Sequence, residues 1–135
     1  MGDILVNIDV DDLARAEAFY TIAFGLRPGR RFGKDGVELL GFAAPIYLLV
    51  KAGGTVATKS THQRRDYARH WTPVHLDIVV EDVEAGVARA QAAGATVEAP
   101  VRSSNWGKLA VMADPFGHGF CLIEFVGRGY DEIAT

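Results

Sequence analysis

Apolar and polar residues alternate over residues 4–10. Ile4, Val6, Ile8 and Val10 share one face, and Leu5, Asn7 and Asp9 share the other. A period of two predicts a strand with one side under an apolar cover. Asp11 or Asp12 then stands where a helix cap is needed, because a carboxylate accepts from free N–H groups and complements the positive end of the helix dipole. Leu13, Ala16, Phe19, Tyr20, Ala23 and Phe24 recur at helical spacing, and Gly25 ends the stripe. Three further strands are expected at 27–32, 37–42 and 46–50, with a turn at Lys34-Asp35-Gly36.

The pattern then repeats. A displacement of 70 residues brings Val74 onto Ile4, Leu76 onto Val6, Ile78 onto Ile8, Val80 onto Val10 and Asp82 onto Asp12. Self-similarity of this kind governs the fold. The second copy predicts a strand at 74–80, a helix at 82–93 closed by Gly94, a strand starting at 96–99, and strands at 108–113 and 119–126. The last two are joined by a turn at Asp114-Pro115-Phe116-Gly117. The expected architecture is α+β: two βαβββ modules whose curled mixed sheets surround a cavity, with the helices outside. Residues 1–51 form the first module, 52–72 a linker loop, 73–126 the second module and 127–135 a surface-bound or frayed tail.

The linker has no clean periodicity and exceeds the length of most connections in compact domains, which makes it functional or mobile. A short helical turn is expected at 64–70. Arg64, Arg65 and Arg69 are expected to be solvated, or else to form a basic rim for an anionic ligand or a neighbouring subunit.

Composition narrows the function classes. Apolar residues make up 49% and charged residues 23%, an ordinary balance for a soluble globule. A net charge of −3 gives no general reason to bind nucleic acid or an acidic membrane. Cys121 is the sole cysteine, so no intrachain disulfide forms. No signal-like opening or membrane-length apolar run is present, and the cytoplasm is the expected compartment.

Parity then gives a site map. The faces turned away from the helices carry Leu5, Asn7 and Asp9 in one copy and His75, Asp77 and Val79 in the other. Paired modules would bring these groups to one cavity, where small ligands are usually bound.

The duplicated unit has further signatures. They are the junctions Val10-Asp11-Asp12-Leu13 and Val80-Glu81-Asp82-Val83, the Ala18-Phe19-Tyr20 run leading to Phe24-Gly25-Leu26, and the closing DPFGHGFCLIEF at 114–125. Together these resemble the vicinal oxygen chelate superfamily, which includes glyoxalase I, extradiol dioxygenases and bleomycin-resistance proteins. The resemblance implies a divalent metal held by first-strand and last-strand residues of each module, and cavities often completed across a homodimer. Those positions fall on Leu5, on the stretch 47–49, on His75 and on Cys121. Only His75 matches a usual ligand, so the expected cofactor is none, with a divalent metal ion held by His75 as the alternative. Glu124 has opposite parity to Cys121 and is expected to point away from the pocket.

The expected function is binding of a small aromatic or amphipathic molecule between the modules, without the usual catalytic metal. His75 and Asp77 are the candidate catalytic pair, His75 as general base. Asn7, Asp9, Tyr47, Trp71, Trp106 and Cys121 are the candidate ligand contacts, with the two tryptophans at the cavity mouth. The alternative is a metal-dependent lyase, isomerase or dioxygenase with a non-standard ligand set drawn from His75, Asp77, Asp9 and Cys121. Whether the chain is an enzyme is left open. The expected partner is a small molecule, with no nucleic acid or membrane, in a homodimer.

Overall fold

In the computed structural model, which describes residues 2–135, the alternating segment becomes β1 (Val6–Val10), and Asp12 caps α1 (Leu13–Phe24) by accepting from the Arg15 N–H at 3.1 Å. Gly25 closes α1 at φ 67°, a left-handed conformation that only glycine adopts without cost. β2 (Arg27–Arg31), β3 (Gly36–Leu40) and β4 (Ile46–Val50) complete the first module. The second module is β5 (Leu76–Val79), α2 (Val83–Ala93), β6 (Thr96–Ser103), β7 (Gly107–Ala113) and β8 (Gly119–Phe125). Asp82 caps α2 as Asp12 caps α1, accepting from the Ala85 N–H at 3.0 Å. The repeat seen in the sequence is therefore a repeat of hydrogen bonds.

Each module folds into a four-stranded mixed sheet, ordered β1-β4-β3-β2 and β5-β8-β7-β6. The first strand of each copy pairs parallel with the last and antiparallel neighbours follow. Because β1 and β5 sit at sheet edges, each leaves one side of its backbone unpaired by its own sheet. Val10 and Ile78 are buried, and Val6, Ile8, Leu76 and Val80 pack on the core, as the alternation predicts. Asn7, His75, Asp77 and Val79 are exposed on the opposite faces.

The two modules meet through their helices. α1 packs on α2, and Arg89 Nε donates to the Ala23 carbonyl at 3.1 Å. Phe24 meets Phe120 edge-on, with ring centroids 5.4 Å apart. At the centre, the Tyr20 hydroxyl donates to Asp114 Oδ2 at 2.5 Å. Asp114 is buried, and its other oxygen accepts from the Phe116 and His118 N–H groups at 2.8 and 2.9 Å. A buried carboxylate is tolerated only with such partners. Burial and the adjacent Asp114 charge hold the Tyr20 hydroxyl well above its ordinary pKa, so it stays a donor.

The linker departs from expectation. No helical turn forms at 64–70. Instead the chain doubles back, with Val56 bridging Arg64, and Gly54 N–H and Arg65 N–H donating across to Arg65 and Thr55 carbonyls. Nor are the arginines simply solvated. Arg64 Nη1 donates to the Gly54 carbonyl, Arg65 pairs with Asp9 at 2.7 Å, and Arg69 pairs with Glu98 at 2.6 Å. Backbone donors and carboxylates within reach outcompete a helix of unremarkable propensity. Gly117, at φ 83°, lets this strap lie down: a Cβ there would sit 2.1 Å from the Ala68 carbonyl oxygen. The tail is tied as well. Residues Gly129–Glu132 form a 3-10 turn, Arg128 pairs with Glu132, and Tyr130 packs on Phe125.

Tyr20→Phe removes the donor and leaves Asp114 short of a partner in the interior. Denaturant unfolding should show a loss of about 1–3 kcal/mol, against no measurable loss for the exposed Tyr130→Phe.

Candidate functional site

Three places bear chemistry. The first is an inter-module cavity of about 420 Å³ between β1, α1 and the starts of β5 and β8. Val6, Ile8, Phe24, Ile78 and Phe120 line it with apolar surface, and Asn7, Asp9, His70, His75 and His118 add polar groups. This mixture of apolar wall and sparse polar groups is typical of small-molecule sites.

The second is the open face of the first sheet. Tyr47 lies between Asn7 and Glu38 in the sheet register. Glu38 is buried, and it accepts from Arg30 Nη2 at 2.7 Å, from the Arg30 N–H at 3.0 Å and from the Tyr47 hydroxyl at 2.7 Å. The Arg30 side-chain bonds, then its N–H and Tyr47, push the Glu38 carboxyl down to about 2. Glu38 raises the Arg30 and Tyr47 values in turn. All three groups are thus satisfied within the sheet.

The third is the open face of the second sheet. Asp77 stands opposite Cys121 across the β5–β8 pairing. His75 Nε2 lies 3.0 Å from Asp77 Oδ1, and ligand atoms of His75, Asp77 and Cys121 lie within 4.8 Å of one another. Burial first, and then the Asp77 charge, push the Cys121 thiol up to about 11. One imidazole nitrogen, one carboxylate oxygen and one sulfur match the three-ligand pattern of a catalytic zinc centre with an open position. The donor set therefore fits a metal, although Leu5 and the residues around Tyr47 contribute nothing to it. Trp71, Thr72 and Arg69 flank this face.

The residues singled out in the sequence thus divide. Asn7, Asp9 and His75 line the inter-module cavity. His75 joins Asp77 and Cys121, and Trp71 lies beside them. Asp9 is committed to Arg65 and does not meet Asp77 in one cluster. Tyr47 serves Glu38. Trp106 lies elsewhere, packed on Phe125 and Tyr130 with ring centroids 6.3 and 5.1 Å away, because the β6–β7 turn that carries it meets the end of β8 at Phe125, whereas the cavity lies at the start of β8. Glu124 points away as its parity predicts, accepting from the Val83 N–H at the start of α2. Sequence reasoning missed Glu38, His70 and His118. A charge between Val37 and Leu39 in an apolar strand flags Glu38. The two histidines carry no such mark, since only the docking of the linker on the Asp114 turn brings them together.

Two measurements check these environments. Glu38 ionises more easily folded than its ordinary value of about 4.3. Its contribution is therefore complete above that value and is lost as pH falls toward about 2. Acid titration followed by NMR should loosen β2 and β3 in that window, and Glu38→Gln should abolish the transition. Cys121, with its thiol at about 11, should react slowly with iodoacetamide at neutral pH. Asp77→Asn removes the neighbouring negative charge and should speed that alkylation.

Comparison with known proteins places the architecture. Residues 5–123 match the family described as glyoxalase-like domain. An uncharacterised protein of Mycobacterium bovis is 36% identical over 126 residues, covering 86% of this chain and 78% of its own length. One from Mycobacterium tuberculosis is also 36% identical over 126 residues, covering 70% of its own length. Among solved structures, a fosfomycin resistance protein from Listeria monocytogenes aligns with a TM-score of 0.70 at 19% identity, over 93% of this chain and 94% of the other. Lactoylglutathione lyase from Agrobacterium tumefaciens aligns with a TM-score of 0.64 at 22% identity, over 92% and 94%. At these identities the solved structures speak for fold alone. With the duplicated βαβββ sheets and the family match over most of its length, the chain belongs to the glyoxalase-like domain family of the vicinal oxygen chelate superfamily.

Proposed function

We propose that this protein binds a small, partly apolar molecule in the inter-module cavity. The observation that carries the reading is the cavity itself: about 420 Å³, walled by Val6, Ile8, Phe24, Ile78 and Phe120, with Asn7 and His75 at hand to orient a polar end. Apolar surface that neither module covers supplies the driving force, and the few polar groups supply selectivity.

A second reading follows from the His75, Asp77 and Cys121 cluster. Here the chain would hold a divalent metal on the open face of the second sheet and act as a lyase or dioxygenase. A bound metal there would supply Lewis-acid charge stabilisation. His75 and Asp77 would hold it, and Cys121 would have to give up a proton that its surroundings retain. A Listeria fosfomycin resistance protein with Mn(II) and a dihydroxypropylphosphonic acid supports metal chemistry on this fold.

Fluorescence separates the readings. In a Trp106→Phe background, aromatic and amphipathic compounds that enter the cavity should change Trp71 emission and raise the melting temperature, with no metal added. If no compound does either, the cavity-binding reading fails. Stoichiometric metal in the purified protein, lost in His75→Ala together with turnover, would establish the second reading instead.

A further inference from the structure

Two imidazoles join the linker, the first strand and the turn before β8. His70 Nδ1 lies 3.0 Å from the Ala68 carbonyl oxygen, His118 Nε2 lies 2.7 Å from the Asp9 carbonyl oxygen, and His118 Nδ1 lies 3.0 Å from His70 Nε2. A carbonyl oxygen only accepts, so His70 Nδ1 and His118 Nε2 each carry a proton. The two remaining nitrogens face each other. With both rings neutral, two lone pairs would oppose one another. With both rings cationic, two N–H groups would collide. One proton between them is the only arrangement that makes all three bonds. Making all three bonds at once requires three protons on four nitrogens, and with them a single positive charge.

The surroundings leave that charge to the cavity. From β1, Asp9 is matched by Arg65 at 2.7 Å; from β6, Glu98 is matched by Arg69 at 2.6 Å. Asp114, on the turn before β8, is buried and committed to Tyr20 and two backbone N–H groups. Tyr67 presents an uncharged ring edge-on to His118, at 6.3 Å between centroids. Asp11 and Asp66 are exposed, and His75 is paired with Asp77. Both imidazoles line the inter-module cavity, and the carboxylate on that lining, Asp9, is already paired with Arg65. The Asn7 side-chain amide, on the same lining, has no hydrogen-bond partner among the described residues and offers a donor.

We propose that His70 and His118 share one proton and that their joint charge makes the inter-module cavity a site for a small monocarboxylate with an apolar body. This rests on the cavity-binding reading above and names its ligand class. The apolar wall takes the body, and the imidazolium pair and the Asn7 amide face the carboxylate.

Acid and amide isosteres test it: benzoate against benzamide, and phenylacetate against phenylacetamide, by calorimetric titration of the full chain near neutral pH. The acids should bind at least about tenfold tighter than the amides, since a fixed positive charge in a partly desolvated site separates them. Nitrogen NMR of the histidine rings should count three protonated nitrogens in the pair. His118→Gln keeps a donor for the Asp9 carbonyl but removes the cation, and should bring the acid-to-amide affinity ratio down to about one. Equal binding of acids and amides by the unmodified chain would overturn the charge proposal and leave the cavity reading standing. Absence of binding by all four compounds would overturn both. Should His118→Gln fail to fold, the acid-to-amide ratio and the ring-nitrogen count still decide.

Discussion

The buried bond between Tyr20 and Asp114 sets the geometry on which the rest depends. Asp114 stands inside the protein as a carboxylate, which is costly unless each oxygen is satisfied. Two N–H groups of its own turn satisfy one oxygen, and a hydroxyl from the other module satisfies the second. The turn that launches β8 is therefore shaped and docked by the same side chain. Once it is docked, Phe120 meets Phe24, His118 reaches the β1 backbone, and the linker can lie across Gly117. The inter-module cavity is the space left between the edges of two sheets held at this fixed separation.

Much of this was legible in the alternation of residues. Val10 and Ile78 are buried and Asn7 and Asp77 exposed because successive side chains in a strand point to opposite faces. Asp12 and Asp82 read as equivalent caps, and they make equivalent bonds. What the residues could not disclose depends on contacts distant in sequence. Trp106 reads as a cavity aromatic, but the antiparallel β7–β8 pairing carries its turn to the end of β8 remote from the cavity. The linker arginines looked solvated because Asp9 and Glu98, their partners, lie many residues away. His70 and His118 are separated by most of a module and become neighbours only through tertiary docking.

The two copies have taken their open faces in different chemical directions. In the first, Glu38, Arg30 and Tyr47 satisfy one another, and this closed network stiffens the sheet. In the second, His75, Asp77 and Cys121 converge with a thiol still protonated and two exposed partners. Sheets of the same strand order thus carry a finished structural network on one side and available donor atoms on the other. The same strand parity serves both outcomes, which is why topology alone says little about activity here.

The Asp114 turn also bears on how the duplication can be undone. The corresponding connection in the first copy runs through Gly41-Phe42-Ala43-Ala44-Pro45 and contains no carboxylate. Tyr20 has Ala90 at the position 70 residues on, so the second copy lacks the hydroxyl as well. Each half thus holds one partner of a contact that neither half makes with a copy of itself. Two second halves would face each other with an unanswered acid, and two first halves with an unanswered hydroxyl. The modules remain alike in outline while differing at this contact, so a pairing of like halves would forgo the bond that docks the Asp114 turn.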